Sequence, residues 1–429
     1  MFLRLNRSTF NSYILLLTLI LMLFPALRHF SLLYQFALLA LLMIIIFLPI
    51  FDENLIVKKI NLSSFLIFAI FYILIFYVLL LTPMNNSELN IITGLVRILL
   101  VPTFILILMF VAPKQSQFYK NALIVYAISF VFAAFSYPYQ FFTGPVEWFS
   151  DDPMERGLLL RYATPLGSGN IYGIGVGVAL YISLKLINSK FIKLIIFIIL
   201  LSGCFMSLQK AAVVNLIIVG TIVFLELPFK LKFIFILVCF GLLSCGLYLI
   251  NVFSDNFMSR YIVDFTFNSI GLNLTNDPSL VRSTVLDSKN LLERFTGIHL
   301  NEIFQRIGYE KALIFGSGLA GGGGGMGYPS FLMAHNSYWD LLFMGGLWFL
   351  LSFYILVVSV MFNLAKCKHF DPLSLIFFKC NLIILINFFA SSSGMFHPGI
   401  AIPFWLSLVY VVNREISFDK SVLFIGQKL

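Results

Sequence analysis

Residues 62–82 read LSSFLIFAIFYILIFYVLLLT, a run without a single charged side chain. At about 1.5 Å per residue a helix of that length crosses roughly 30 Å of hydrocarbon, and in a water-free layer only a helix satisfies the backbone of one isolated segment. Lys58 and Lys59 precede the run, whereas Thr82 to Asn90 after it carries neither Lys nor Arg. The run therefore has a direction as well as a length, because basic residues of short loops stay on the cytoplasmic side.

The same pattern recurs outward in both directions. Apolar windows lie near 10–29, 31–50, 62–82, 91–112, 121–142, 167–187, 191–208, 209–226, 233–251, 337–363, 372–391 and 398–413. Of the 429 residues 60% are hydrophobic and 11% charged, where a soluble domain carries about a quarter charged, so no soluble surface can be built. The expectation is an all-α polytopic membrane protein, one membrane domain over 1–429 with about twelve transmembrane helices. Ser8 to Phe30 has the length of a span and no small-residue cleavage site after it, so the first helix is expected to stay attached.

The basic residues test the arrangement. Arg4 and Arg7, Lys58 and Lys59, Lys114 and Lys120, Lys185, Lys190 and Lys193, Lys230 and Lys232, Lys366 and Lys368, then Arg414, Lys420 and Lys428 fall in every second connection and at both ends. Both termini are thus expected in the cytoplasm. The net charge of +9 is spread between apolar runs instead of forming a stripe, so nucleic acid is not an expected partner. Cys204, Cys239, Cys245, Cys367 and Cys380 form no CxxC pair and read as packing residues, neither a disulfide framework nor a metal site.

Two connections are long, 143–166 and 252–336, and both face away from the cytoplasm. Long connections in a compact protein are commonly functional. Within the second, Leu291, Leu292, Phe295, Ile298, Ile303, Phe304 and Ile307 recur at near-helical spacing, which predicts amphipathic helices on the membrane or capping the bundle. The run from Gly316 to Gly327 is expected to be non-helical.

Chemistry-bearing residues cluster on that same outer side. Arg97 lies in the outer third of the fourth window, where a guanidinium needs a partner or must snorkel to the headgroups. Arg161 opens the stretch that leads through Pro165 and Gly167 to Asn170 at the start of the sixth window, and can bind an anion or anchor at the interface. Lys210 follows a tight outer hairpin and can hold phosphate as a point charge. His335 immediately precedes a helix for which Asn336 or Ser337 suits the N-cap; the positive helix end favours a neutral imidazole and welcomes an anion. A neutral histidine beside phosphate can act as a general base, although a histidine at a helix start is also an ordinary interfacial residue. The five glycines at 321–325 match no P-loop. His397 faces outward as a secondary candidate, and Asp151, Asp152 and Glu155 are alternative carboxylates; His29, His299 and His369 are less favoured.

The order of these features resembles the bacterial O-antigen polymerase and ligase superfamily. The matching parts are Arg161 with Gly167 and Asn170, Ser207 to Ala211 at the outer hairpin, Gly316 and Gly318, and His335 to Gly346. The resemblance spans most of the chain in topology and about 50 residues in motif. It implies a GT-C-like glycosyltransferase bundle in the bacterial inner membrane, a periplasmic active site, and an undecaprenyl-diphosphate-linked oligosaccharide as donor, with no metal or cofactor. It further implies His335 as activator of the acceptor hydroxyl and Arg161 and Lys210 as diphosphate ligands. The hairpin position usually holds Arg and here holds Lys, and the usual Arg-rich segment before Gly-x-Gly is replaced by GlyIleHisLeuAsnGluIle. Arg294 and Arg306 are the nearby candidates for the missing cation, with Arg97, Asn170 and Asn336 as further substrate contacts. Besides membrane lipids, a chain-length regulator is an implied partner. A ligase transferring polymer to lipid A core is the nearest alternative, and a flippase or transporter the alternative of another class.

Overall fold

The computed structural model describes residues 7–24, 61–82, 88–112, 115–146, 149, 154–156, 159–167, 169–207, 209–233, 236, 241, 313–319, 336–390 and 394–414. The predicted window 31–50 lies outside them, as do nearly all of 233–251 and of the long connection 252–336. Each of the other ten predicted windows coincides with a helix: α1 (Arg7–Leu23), α2 (Leu62–Leu80), α3 (Glu88–Val111), α4 (Ser116–Thr143), α5 (Gly169–Leu186), α6 (Lys190–Met206), α7 (Lys210–Glu226), α8 (Ser337–Cys367), α9 (Pro372–Asn387) and α10 (Pro398–Asn413). Among the described residues three helices are long and apolar enough to cross a membrane, α2, α4 and α8. The connection 143–166 holds a small antiparallel hairpin, β1 (Met154–Arg156) with β2 (Leu159–Arg161), in which Met154 opposes Arg161.

α2 shows why the chain belongs in a membrane. Ser64, Phe68, Phe71, Ile75 and Val78 form a buried stripe at helical spacing, yet the opposite face, Leu66, Ile70, Ile73 and Phe76, is exposed and equally apolar. A helix facing water would carry its polar residues there. α10 is the reverse case. Every one of its residues is buried, and α2, α3, α4, α5, α8 and α9 all pack on it. Trp405 at its middle meets Phe68 and Phe71 of α2, and its indole N–H donates to the Met395 carbonyl at 2.8 Å.

Helix starts follow from capping chemistry. Asn61, Ser189, Asn336, Asp371 and His397 each offer a side-chain acceptor to the first turn of α2, α6, α8, α9 and α10, and Pro372 and Pro398 take N1 positions where a missing N–H costs nothing.

Contacts between helix ends set the relative directions. α5 and α7 run parallel: Gly173 lies against Gln209 and Ala212, Gly177 against Asn215, and Lys185 pairs with Glu226 at 2.5 Å. Gly399 in the first turn of α10 packs on Ile171 and Gly175 of α5, and Ser337 of α8 accepts from the Gly394 N–H at 2.9 Å. Thus α5, α7, α8 and α10 start at one end of the bundle. At the opposite end the Asn61 N–H donates to Val412 at 2.8 Å and Arg414 reaches Asp371 at 2.9 Å.

Candidate functional site

The end at which α5, α7, α8 and α10 begin is where the sequence concentrates its candidates. The starts adjoin in turn, α7 beside α5, α5 beside α10 and α10 beside α8, so partial positive charges line this end, which favours an anion. α4 and α9 finish at this end. The Gln140 amide of α4 donates to the Ala163 carbonyl at 2.8 Å, fixing the chain that runs from β2 to α5, and Thr164 and Gly167 exchange hydrogen bonds of 2.8 Å across Pro165 and Leu166.

The backbone places position 161 at the last residue of β2, six residues before Gly167, and position 170 in the first turn of α5. Position 210 is the first residue of α7, directly after Gln209, which packs on α5. Position 97 is nine residues into α3, about 14 Å along its axis. α3 packs on α10 and on the turn Gly394–Phe396 that leads into it, so it borders the same end. Position 336 is the N-cap of α8. Positions 161, 170, 210 and 336 therefore lie at or just before helix starts of one end of the bundle, whereas position 97 lies well inside α3. His335, Arg294 and Arg306 lie outside the described residues.

Asn336 is engaged structurally. Its side-chain oxygen accepts from the N–H groups of Tyr338 at 3.0 Å and Trp339 at 3.4 Å, and only 2% of the residue is exposed. A cap this buried fixes the start of α8 and is spent on the helix. Asp340, one turn later and fully buried, adds a carboxylate to the first turn of α8. His397 caps α10: its Nδ1 accepts from the Gly399 N–H at 3.1 Å, which leaves Nε2 as the protonated nitrogen of a neutral ring. His369 sits exposed at the opposite end of the bundle.

The Gly-x-Gly element proves to be a clamp. Residues 313–319 thread between the end of α2 and a break in α8 at Gly346, where φ is +70° and ψ −168°. Ser317 donates to the Phe343 carbonyl through its N–H at 2.7 Å and its hydroxyl at 2.8 Å. Tyr77 donates to Phe315, and Thr82 accepts from the Leu319 N–H at 3.1 Å. Gly316 (φ +82°) has no room for a Cβ, which would come within 2.4 Å of the Met344 carbonyl oxygen; at Gly318 (φ +72°) it would meet Thr82 at 2.5 Å. These glycines are required for close backbone approach, and the glycine pair 345–346 is its other half.

Several buried polar groups at this end are not conspicuous in sequence. Asn215 of α7 donates to the Gly173 and Ile174 carbonyls at 2.8 and 3.1 Å, and Asn387 at the end of α9 donates to Ile174 at 3.1 Å and to the Asn215 side-chain oxygen at 2.7 Å. The signal was an asparagine within each apolar window, which needs a partner in lipid. Among the described residues no group of three His, Cys, Asp or Glu is disposed to hold a metal ion.

Comparison of the chain with models of known protein families and with functionally characterised proteins returns no match.

Proposed function

We propose that this protein is a polysaccharide polymerase of the inner membrane of a bacterium, with about twelve spans, a GT-C-like bundle and both termini in the cytoplasm. It joins undecaprenyl-diphosphate-linked oligosaccharide repeats at the periplasmic face. The observation that carries the reading is the end of the bundle where α5, α7, α8 and α10 all begin, because the Arg161, Lys210 and His-Asn segments all lead into helices that start there.

In the proposed reaction the acceptor hydroxyl oxygen attacks the anomeric carbon of the donor sugar and the bond from that carbon to the diphosphate breaks. The hydroxyl proton passes to His335, and undecaprenyl diphosphate departs with the bonding pair. The donor already carries a good leaving group, so the protein has to position the acceptor, take one proton and hold negative charge. Arg161 and Lys210, with Arg97 and Arg294 or Arg306, supply the charge. Helix N-termini supply it without reorganising. Asn336 acts through the backbone, by setting where α8 starts.

The test is the surface-polysaccharide ladder of a deletion strain complemented with the wild-type chain or with His335→Ala at equal protein level. A polymerase gives core carrying a single repeat in the deletion strain and in the His335→Ala strain. Bare core identifies a ligase, lipid-linked repeats retained inside identify a flippase, and an unchanged ladder with His335→Ala removes the mechanism.

A further inference from the structure

We propose that the carboxamide of Gln209 is a substrate-binding group, donating a hydrogen bond to a phosphate oxygen between the starts of α5 and α7; the identity of that phosphate, a polyprenyl diphosphate, rests on the polymerase reading. Gln209 is 3% exposed, and its Nε2 is buried without a hydrogen-bond partner among the described residues. Buried donors are almost always satisfied, and one left open weakens the fold, so an open one at a candidate site calls for a ligand.

The surroundings state which ligand. Gln209 is the N-cap residue of α7 with φ −108° and ψ 120°, but its side chain makes no capping bond. Its own carbonyl takes the Ala212 N–H at 3.0 Å. The N–H groups of Lys210 and Ala211 have no carbonyl one turn behind them within the helix. The stem of the side chain is pinned on α5: a Cβ added to Gly173 would meet Gln209 Cβ at 2.6 Å and Cγ at 2.9 Å. The carboxamide is therefore held beside a second helix start. Acceptors of the same two helices are already engaged, since the Gly173 and Ile174 carbonyls and the Asn215 side-chain oxygen receive the amides of Asn215 and Asn387. What remains is a set of donors, at two positive helix ends, headed by a lysine residue. Such a set fits a phosphate group and repels a cation; a neutral sugar hydroxyl would leave its own proton without an acceptor.

The experiment uses the full chain in phosphatidylcholine nanodiscs, as wild type, Gln209→Leu and Gln209→Glu. Binding of a short-chain polyprenyl diphosphate and of inorganic diphosphate is measured, together with the melting temperature without ligand. Gln209→Leu should bind both probes about tenfold more weakly, the loss of one hydrogen bond to a charged oxygen, and Gln209→Glu should bind weaker still. The ligand-free melting temperature of Gln209→Leu should hold or rise, because an unsatisfied donor has been removed from the interior. Unchanged binding by Gln209→Leu overturns the proposal, as does a fall in melting temperature with binding intact, which marks a packing role. Weaker binding of the lipid with inorganic diphosphate unaffected also overturns it, because the contact is then to another part of the lipid. The ladder of the deletion strain decides the polymerase reading separately: a normal ladder removes that reading and leaves the binding result to stand or fall by itself.

Discussion

Replacing Gly346 by alanine tests the clamp at the break in α8. Its backbone, φ +70° and ψ −168°, belongs to a region that side chains avoid, at a cost of about 1–3 kcal/mol. The added methyl would also lie 2.2 Å from the Ile314 carbonyl oxygen and 2.8 Å from the Phe315 nitrogen. Relief requires residues 313–317 to move by about an ångström, which breaks the two bonds from Ser317 to Phe343, at about 1 kcal/mol each. The combined loss is about 3–5 kcal/mol. Gly144 provides the control, because at φ 92° and ψ 174° it shares the same backbone region but has nothing within 4 Å of an added Cβ. Gly144→Ala therefore carries the strain alone. Unfolding of both variants in nanodiscs, followed by tryptophan fluorescence in heat and denaturant, should show Gly346→Ala weaker by about 2 kcal/mol more than Gly144→Ala. Gly316→Ala should resemble Gly346→Ala, and the double variant should fall short of the sum because both displace one strap. Equal losses for Gly346→Ala and Gly144→Ala would refute the reasoning, since contact with residues 313–317 would then contribute nothing.

Three further outcomes are expected. Asn336→Ala removes the cap of α8 and should lower stability by about 1 kcal/mol, whereas Asn336→Asp keeps the acceptor and should restore it; melting curves of the two variants decide. Burial pushes the Asp371 carboxyl up, but hydrogen bonds from Ser374 and Tyr410, the Arg414 guanidinium and the Leu373 N–H together hold it below the usual carboxylate range. A depressed native value stabilises above the unfolded pKa of about 4 and is lost as pH falls through the native one, so the stability gap between wild type and Asp371→Asn should be present at pH 7 and close in acid. Lys210→Arg should preserve polymer synthesis and Lys210→Ala should reduce it, read from the surface ladder; full activity of Lys210→Ala would remove this residue from the anion site.

The helices were legible because the bilayer imposes one rule, about twenty predominantly apolar residues per crossing, and α2 obeys it without one charged residue. Residues facing lipid and residues facing protein are equally apolar, so no pattern told that α10 is enclosed on all sides while α6 exposes Phe191, Ile192 and Leu194. A cap at Asn336 or Ser337 was readable from residue type and position, and the structure gives it to Asn336. The role of Gly316 and Gly318 was not, because what excludes a side chain there is the backbone of Met344 and Thr82, far away in sequence. Gln209 is hidden behind the lysine beside it: charge is visible in a sequence, whereas a neutral amide lacks a partner only by virtue of neighbours on another helix.

The asparagine clasp among α5, α7 and α9 carries a consequence for biogenesis. Asn215 reaches the α5 carbonyls as soon as the two helices meet, some 40 residues of synthesis apart, but its oxygen waits for Asn387, which leaves the ribosome 172 residues later. In hydrocarbon that oxygen has no water to turn to meanwhile. A chain released before α9 would expose this unmet acceptor along with the surface that α10 should cover. Such half-made bundles carry a buried polar mark that finished ones lack.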